Sequence, residues 1–287
     1  MKHAMFGPAG NGAAFAAAGL KHTKDAFPWL KGMGLDAYEY QCGNGVTGSE
    51  AAFRLIGERA AEAGIVLSLH APYYISLSGV DPEKRLKSVD YVAQSLAAAR
   101  AMGADRIVIH TGSAGKITRE QAMALAADTV EHILAETDHT GIELGLETMG
   151  KLNQLGTLEE VISLCRLSPD LSPVVDFGHL NARSASALFR TVDDYRSVFD
   201  RIATALGDDK ARYLHCHFSK IEYTAAGEKK HLTFEDEVYG PPFEPLMEAI
   251  VREGLCPRII CESAGTQAED ALAMKMLWRS LGEKITI

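Results

Sequence analysis

The sequence predicts an α/β fold, a single (β/α)8 TIM-barrel domain spanning residues 1–287, with polar side chains collected at the C-terminal ends of its strands. Three observations predict it. Eight short apolar runs alternate with longer amphipathic segments, the pattern of parallel βαβ units. Six of those runs end in a histidine, aspartate or glutamate. A length of 287 residues lies in the range that one such barrel fills.

The apolar runs are 4–7, 36–40, 65–70, 106–110, 142–147, 173–176, 212–217 and 258–262. Helix boundaries are written between them. Asp81 before Pro82 pairs an N-cap with a proline at the first helical position, and Gly103 is a C-terminal stop, so one long helix is bounded at both ends. Thr118 with Gln121, and Thr157 with Glu160, have the spacing of capping boxes that open two further helices with periodic apolar faces. A closed barrel is preferred to an open sheet because of the polar ends: Ile65-Val-Leu-Ser-Leu-His70, Arg106-Ile-Val-Ile-His110, Leu144-Gly-Leu-Glu147, Pro173-Val-Val-Asp176, Tyr213-Leu-His215 and Arg258-Ile-Ile-Cys-Glu262. A barrel brings all of these to one mouth, and an open sheet scatters them.

Composition excludes several classes. With 47% hydrophobic and 23% charged residues the chain is an ordinary globular sequence rather than a disordered one. The opening Met1-Lys-His-Ala-Met-Phe-Gly7 has no apolar signal segment, and no stretch reaches the roughly 20 apolar residues of a membrane span. A cytoplasmic monomer with no membrane partner is the expectation. The five cysteines, Cys42, Cys165, Cys216, Cys256 and Cys261, are odd in number and without CxxC spacing, as reduced thiols should be. A net charge of −9 argues against a general nucleic-acid binder unless a local basic rim or divalent ions offset it.

A carboxylate directly after an apolar strand is costly to bury unless it is paired or bound to metal, and Glu147, Asp176 and Glu262 all stand there. Each alone reads equally well as the cap of the next helix. Independent caps do not explain histidines and carboxylates at the same place in six successive repeats; a shared metal site does. Imidazoles and carboxylates without a thiolate cluster suit zinc or manganese. Strand alternation turns Cys261 away from the mouth and puts His215 and His217 on one face, where one of them suffices as a ligand. His179, three residues after Asp176, and His231, in the long segment after strand seven, add two more imidazoles.

The strings His70-Ala-Pro-Tyr73, Val108-Ile-His110, Glu147-Thr, Asp176-Phe-Gly-His179, His215-Cys-His-Phe-Ser-Lys220, His231 and Ile260-Cys-Glu262 follow the order and spacing of the endonuclease IV pattern through nearly the whole chain. The sequence resembles a divergent member of that family (AP endonuclease family 2) on the xylose isomerase-like TIM barrel. The resemblance implies a DNA repair nuclease that cleaves 5′ of abasic sites at a cluster of two or three Zn2+ ions, with Mn2+ as the alternative. It implies that His70, His110 and Glu147 hold one ion, and that Glu147, Asp176, His215 and Glu262 hold a second. Glu147 then bridges them, and Glu147, Glu262 and His110 are the candidate catalytic residues. His179 and His231 fall at the histidine positions of the family's third ion. The family aspartate two residues before the second histidine is Lys229 here, in Gly227-Glu-Lys229-Lys-His231. A two-metal centre is therefore expected. The third position is empty or weak, completed by an acid such as Glu228 or Asp236, or replaced by the Lys229 ammonium as a phosphate contact. Tyr73 matches the family tyrosine that enters DNA at the lesion. Tyr74 lies beside it, and one of the pair is expected to pack. Lys220 is a second candidate phosphate contact.

Two close ions suit phosphodiester hydrolysis, one activating water and the other stabilising the leaving oxygen. The loop 41–49 lacks basic residues, however, and the segment 218–234, mixed in charge, is expected to cover the mouth and to select among phosphodiesters. The main rival is a sugar isomerase or epimerase, for which Glu147, Asp176, His215 and Glu262 would bind one metal. It leaves His70 and His110 unexplained. A metal-dependent binding module without catalysis is the third reading. Hydrolysis accounts for the most residues.

Overall fold

Eight strands form one parallel sheet in the computed structural model, which describes residues 3–285; Met1 and Lys2, the start of the opening read above for a leader, lie outside them. In chain order the elements are β1 (Met5–Pro8), α1 (Ala13–Ala17), α2 (Ala26–Met33), β2 (Ala37–Gln41), α3 (Glu50–Ala63), β3 (Val66–His70), α4 (Pro82–Met102), β4 (Arg106–His110), α5 (Arg119–Glu136), β5 (Glu143–Glu147) and α6 (Leu158–Cys165). There follow β6 (Leu171–Asp176), α7 (Phe177–Arg183), α8 (Val192–Leu206), α9 (Asp208–Arg212), β7 (His215–Phe218), β8 (Ile221–Thr224), β9 (Gly227–His231), α10 (Glu244–Arg252), β10 (Arg258–Cys261) and α11 (Gln267–Ile285). The sheet runs β1-β10-β7-β6-β5-β4-β3-β2.

Its two edges meet to make a nearly closed barrel. Ala9 bridges Glu39, and the Asp36 and Gly10 amides donate to the Phe6 and Glu39 carbonyls, each at 2.9 Å. The seam requires Gly7: a Cβ there would lie 1.8 Å from the Ala37 carbonyl oxygen, so any side chain would force the edges apart.

The helix punctuation acts as read. The Asp81 carboxylate accepts from the Glu83 and Lys84 amides at the start of α4, which ends at Gly103 in the left-handed conformation (φ 69°). Both anticipated capping boxes form, at α5 and α6, and a third, Thr191 with Asp194, opens α8. The seventh strand begins later than its apolar run. Residues 208–212 carry aspartates at the front and Lys210 and Arg212 at the back, which suits a helix dipole, and they form α9, whose last residue, Arg212, is the first of that run. The segment 218–234 was expected only as a cover; it contains the antiparallel hairpin β8–β9.

The barrel is chemically polarised. At the N-terminal end the Arg258 guanidinium, wholly buried, donates to both Asp105 oxygens at 2.8 and 2.6 Å. At the C-terminal end stand the histidines and carboxylates. All five cysteines are buried and free, as expected of reduced thiols, and the Cys261 thiol faces Ser263 at 3.3 Å. Among the described residues no helix is long and apolar enough to cross a membrane.

Candidate metal centre

Glu147, at the end of β5, is the hub of the mouth. The sheet register sets His110 directly beside it, and His70 ends the next strand over. His70 Nε2 and His110 Nε2 both lie 3.2 Å from Glu147 Oε2. His70 Nδ1 donates to the Ala71 carbonyl at 2.8 Å, so Nε2 is the nitrogen turned to the carboxylate: it donates to Glu147 when the ring is charged and is the one free to take an ion when the ring is neutral. On the other oxygen, Glu147 Oε1, converge His217 Nδ1 at 2.9 Å and His179 Nδ1 at 3.5 Å. Glu262, just past β10, has Oε1 3.6 Å from His217 Nδ1.

Asp176 reads both as a cap and as a cluster member. Its Oδ1 accepts from the His179 amide at 2.8 Å and opens α7. Its Oδ2 is buried, faces the cluster and has no hydrogen-bond partner. Among the described residues Glu147, Asp176 and Glu262 pair only with histidines, never with lysine or arginine. Buried carboxylates of this density need positive charge, and an orphaned carboxylate oxygen amid imidazoles fits a divalent cation.

A third group adjoins the first two. His179 Nε2 lies 3.5 Å from Glu228 Oε2, and His231 Nε2 lies 3.9 Å from Glu228 Oε1. Glu228 and His231 are three apart, so a regular strand would send them to opposite faces. Tyr223 pairs with Glu228 but Glu222 with Lys230, which leaves Lys229 as the extra residue of a β-bulge and restores both side chains to one side. The hairpin docks closely: the Glu228 amide donates to the Gly150 carbonyl at 3.1 Å, and a Cβ on Gly150 would strike Glu228.

Electrostatics follow this crowding. Burial pushes the Glu147 carboxyl up, yet the His217 charge and hydrogen bonds from His110, His179 and His217 hold it well below the ordinary range. At Glu262 burial, aided by Glu147 and Asp176, wins over His217 and His231, and the carboxyl rises. His179 and His217 rise well above 6.5 despite burial, because carboxylates surround them. The two histidines on Glu147 Oε2 diverge. Burial depresses His110, with the charges of His70 and His179 acting the same way, whereas Glu147 and Glu39 lift His70 against its burial.

Four sequence expectations need correction or refinement. His215 does not join the cluster. It lies one layer deeper, with Nε2 2.9 Å from Glu39 Oε2, while His217 is in register with Asp176 and takes the place expected of His215. Lys229 points away from the mouth, half-exposed, with Nζ 2.5 Å from Glu222. Lys220 is occupied by the carbonyls of Phe234, at 2.8 Å, and Asp236. Of the tyrosine pair, Tyr73 stacks on His110 (centroids 5.8 Å apart) with its ring half-exposed, and Tyr74 packs edge-on against Tyr91. The sequence reading missed Glu39, whose signal was an acid in the middle of an otherwise apolar strand. It also missed the polar wall of the cavity, about 660 Å3, formed by Asn11, Gln41, Lys151, Gln154 and Gln267.

The model of the xylose isomerase-like TIM barrel family matches residues 27–279. The chain belongs to that family. This xylose isomerase-like barrel is 27% identical over 251 residues to uncharacterized protein MJ0133 of Methanocaldococcus jannaschii, covering 86% of this chain and 88% of that one. It is 30% identical over 184 residues to the probable endonuclease 4 of Acholeplasma laidlawii, covering 63% of this chain and 61% of the relative, less than two thirds of its length. Among solved structures, endonuclease IV from Thermus thermophilus superposes with a TM-score of 0.65 at 20% identity, over 98% of this chain and 99% of that one. A D-tagatose 3-epimerase-like protein superposes with a TM-score of 0.67 at 17% identity, over 88% and 91%. At such identities these likenesses speak for the fold alone.

Proposed function

We propose that this chain is a metal-dependent phosphodiester hydrolase that nicks DNA 5′ of abasic sites and leaves a 3′ hydroxyl. The observation that carries this reading is the sharing of Glu147 between a His70–His110 pair and an Asp176–His179–Glu262 group, with His217 against Glu147 and Glu262, and Glu228 and His231 adjoining His179. A single-ion isomerase has no use for so many donors. His70, His110 and Glu147 would hold one ion, Glu147, Asp176, His217 and Glu262 a second, and His179, Glu228 and His231 a third. Zinc fits the donor set, and manganese is the alternative. Such ions, when bound, bring the pKa of water near neutral and neutralise charge on the leaving oxygen.

The chain's own residues supply positioning. Glu147 sets the spacing of the two groups through its two oxygens. Glu262, whose carboxyl is raised, is placed to take the proton of the attacking water. Tyr73, half-exposed over His110, offers a face to fill the space of a missing base. Lys151 is the cation of the cavity wall and meets a phosphate. We read the protein as a single-domain cytoplasmic monomer.

One observation favours the second reading, a sugar isomerase or epimerase on one ion: the cavity wall carries four amides, Asn11, Gln41, Gln154 and Gln267, but one lysine, which suits a neutral polyhydroxylated substrate. The test is a duplex with one abasic-site analogue, incubated with the zinc- or manganese-loaded protein. Nicking that leaves a 3′ hydroxyl and disappears in Glu262→Gln is expected. No nicking with ions confirmed in the protein refutes the reading, and turnover of a ketose under the same conditions selects the rival.

A further inference from the structure

We propose that Glu39 is a positioning residue that fixes the orientation and tautomer of His217, so that His217 presents Nδ1 to the carboxylates of the metal centre. This rests on the metal reading above. Glu39 lies in the middle of β2, wholly buried, and is absent from the cavity wall. An ionised carboxylate can only accept hydrogen bonds. Its Oε2 takes the Ser68 hydroxyl and His215 Nε2, each at 2.9 Å, and its Oε1 takes the Gln41 amide at 3.2 Å. His217 Nε2 stands 3.0 Å from the same Oε1.

A neutral imidazole carries one N–H. Both ring nitrogens of His217 face carboxylate oxygens, so in the ion-free chain the ring carries both protons and Nδ1–H donates to Glu147. An ion at this nitrogen would displace that proton, leaving the remaining N–H on Nε2, facing Glu39, and the lone pair on Nδ1. That nitrogen lies 2.9 Å from Glu147 Oε1 and 3.6 Å from Glu262 Oε1. The series Glu39–His217–ion is the carboxylate–histidine–metal arrangement, which orients the ring and raises its basicity. His70 and His179 are fixed differently, each by a backbone carbonyl on Nδ1, at 2.8 and 2.9 Å. His215 then has a role of its own: it holds Glu39 from beneath. Apolar packing would fill the barrel interior at lower cost than a buried acid, so the Glu39 network has its use in the ring it orients.

The full chain is titrated with Zn2+ and Co2+ against a chromophoric chelator. Glu39→Gln is expected to keep the fold by circular dichroism, weaken one ion about 10- to 100-fold and shift the visible Co2+ bands. Glu39→Asp, which keeps a carboxylate, should recover part of that loss. If Glu39→Gln does not accumulate folded, Ser68→Ala removes one bond to Glu39 and should weaken the same ion about fivefold, the equivalent of one hydrogen bond. Wild-type affinity and an unchanged Co2+ spectrum in the folded variant overturn the proposal. An anomalous-diffraction peak bonded to Glu39 overturns it too, by making Glu39 a ligand. A wild-type chain that binds no ion sinks the metal reading and this one together, whereas wild-type binding matched by the variants sinks this one alone.

Discussion

Gly150→Ala is expected to remove one ion and leave the rest. A Cβ at this position would sit 2.6 Å from Glu228 Cβ, 2.7 Å from Glu228 Oε2 and 3.1 Å from His179 Cδ2. Carbon atoms rest at about 3.5–4.0 Å, so relief demands a displacement on the order of 1 Å. A coordination distance tolerates about 0.2 Å, so a shift of that size takes Glu228 out of reach of His179 and His231. The hairpin cannot retreat freely, because the Glu228 amide is bonded to the Gly150 carbonyl at 3.1 Å. The strain should cost about 1–3 kcal/mol, a fall in melting temperature of about 2–4 °C for each kcal/mol at this chain length. Metal content is measured by mass spectrometry after dialysis against graded chelator, alongside the melting temperature. Gly32→Ala, where a new Cβ meets nothing within 4 Å, is the control. Gly150→Ala with the same number of ions at wild-type affinity would refute the assignment of Glu228 to the centre.

Other outcomes follow from particular pairs. Lys229→Met should leave the nicking rate within about twofold of wild type, because Lys229 spends its charge on the neighbouring Glu222 in an exposed pair; a tenfold loss would return it to the substrate. Asp105→Asn should destabilise by about 2–4 kcal/mol, since it strands the Arg258 guanidinium, with the usual 3–5 kcal/mol reduced because Asp105 is itself half-exposed. Asp105 is lowered from 3.8 to about 2, chiefly by Arg258 acting against burial, so its stabilisation is complete above 3.8 and lost as pH falls towards 2. Chemical denaturation at graded acid pH checks both, and a midpoint unaffected by the mutation refutes them. In ion-free protein the raised His179 and His217 stabilise fully below 6.5 and lose that contribution as pH rises through their elevated values. Calorimetry after chelation, between about pH 6 and pH 9, should show a falling melting temperature that added zinc offsets, and a flat profile without metal contradicts this.

Features of the barrel that depend on local sequence are legible in the sequence itself. Apolar runs ending in His70, His110, Glu147, Asp176 and Glu262 located the mouth, because each strand end reports its own position. Caps such as Asp81 and Thr118 are equally local. The choice between His215 and His217 is not. Period-2 alternation places both on one face, and the layer each occupies depends on the stagger between strands, which sets His217 beside Asp176 and His215 beside Val174. Glu39 was missed for the same reason: its partners Ser68, His215 and His217 come from other strands, and an isolated acid in a strand does not reveal them. The orientation of Lys229 was hidden by a bulge that the Lys229-Lys230 doublet does not advertise.

That bulge has a consequence for how relatives of this chain are compared. One surplus residue in β9 slides the acid a step along the chain while keeping it opposite the same two imidazoles. Column-by-column comparison with a pattern that demands aspartate two places before the histidine would score the position as lost and file the chain among the degenerate copies. The strand face, counted after the bulge is removed, is the unit to compare. By that count Glu228 stands where the pattern asks for an acid, and a fixed-spacing comparison would mistake a shift in alignment for a loss of chemistry.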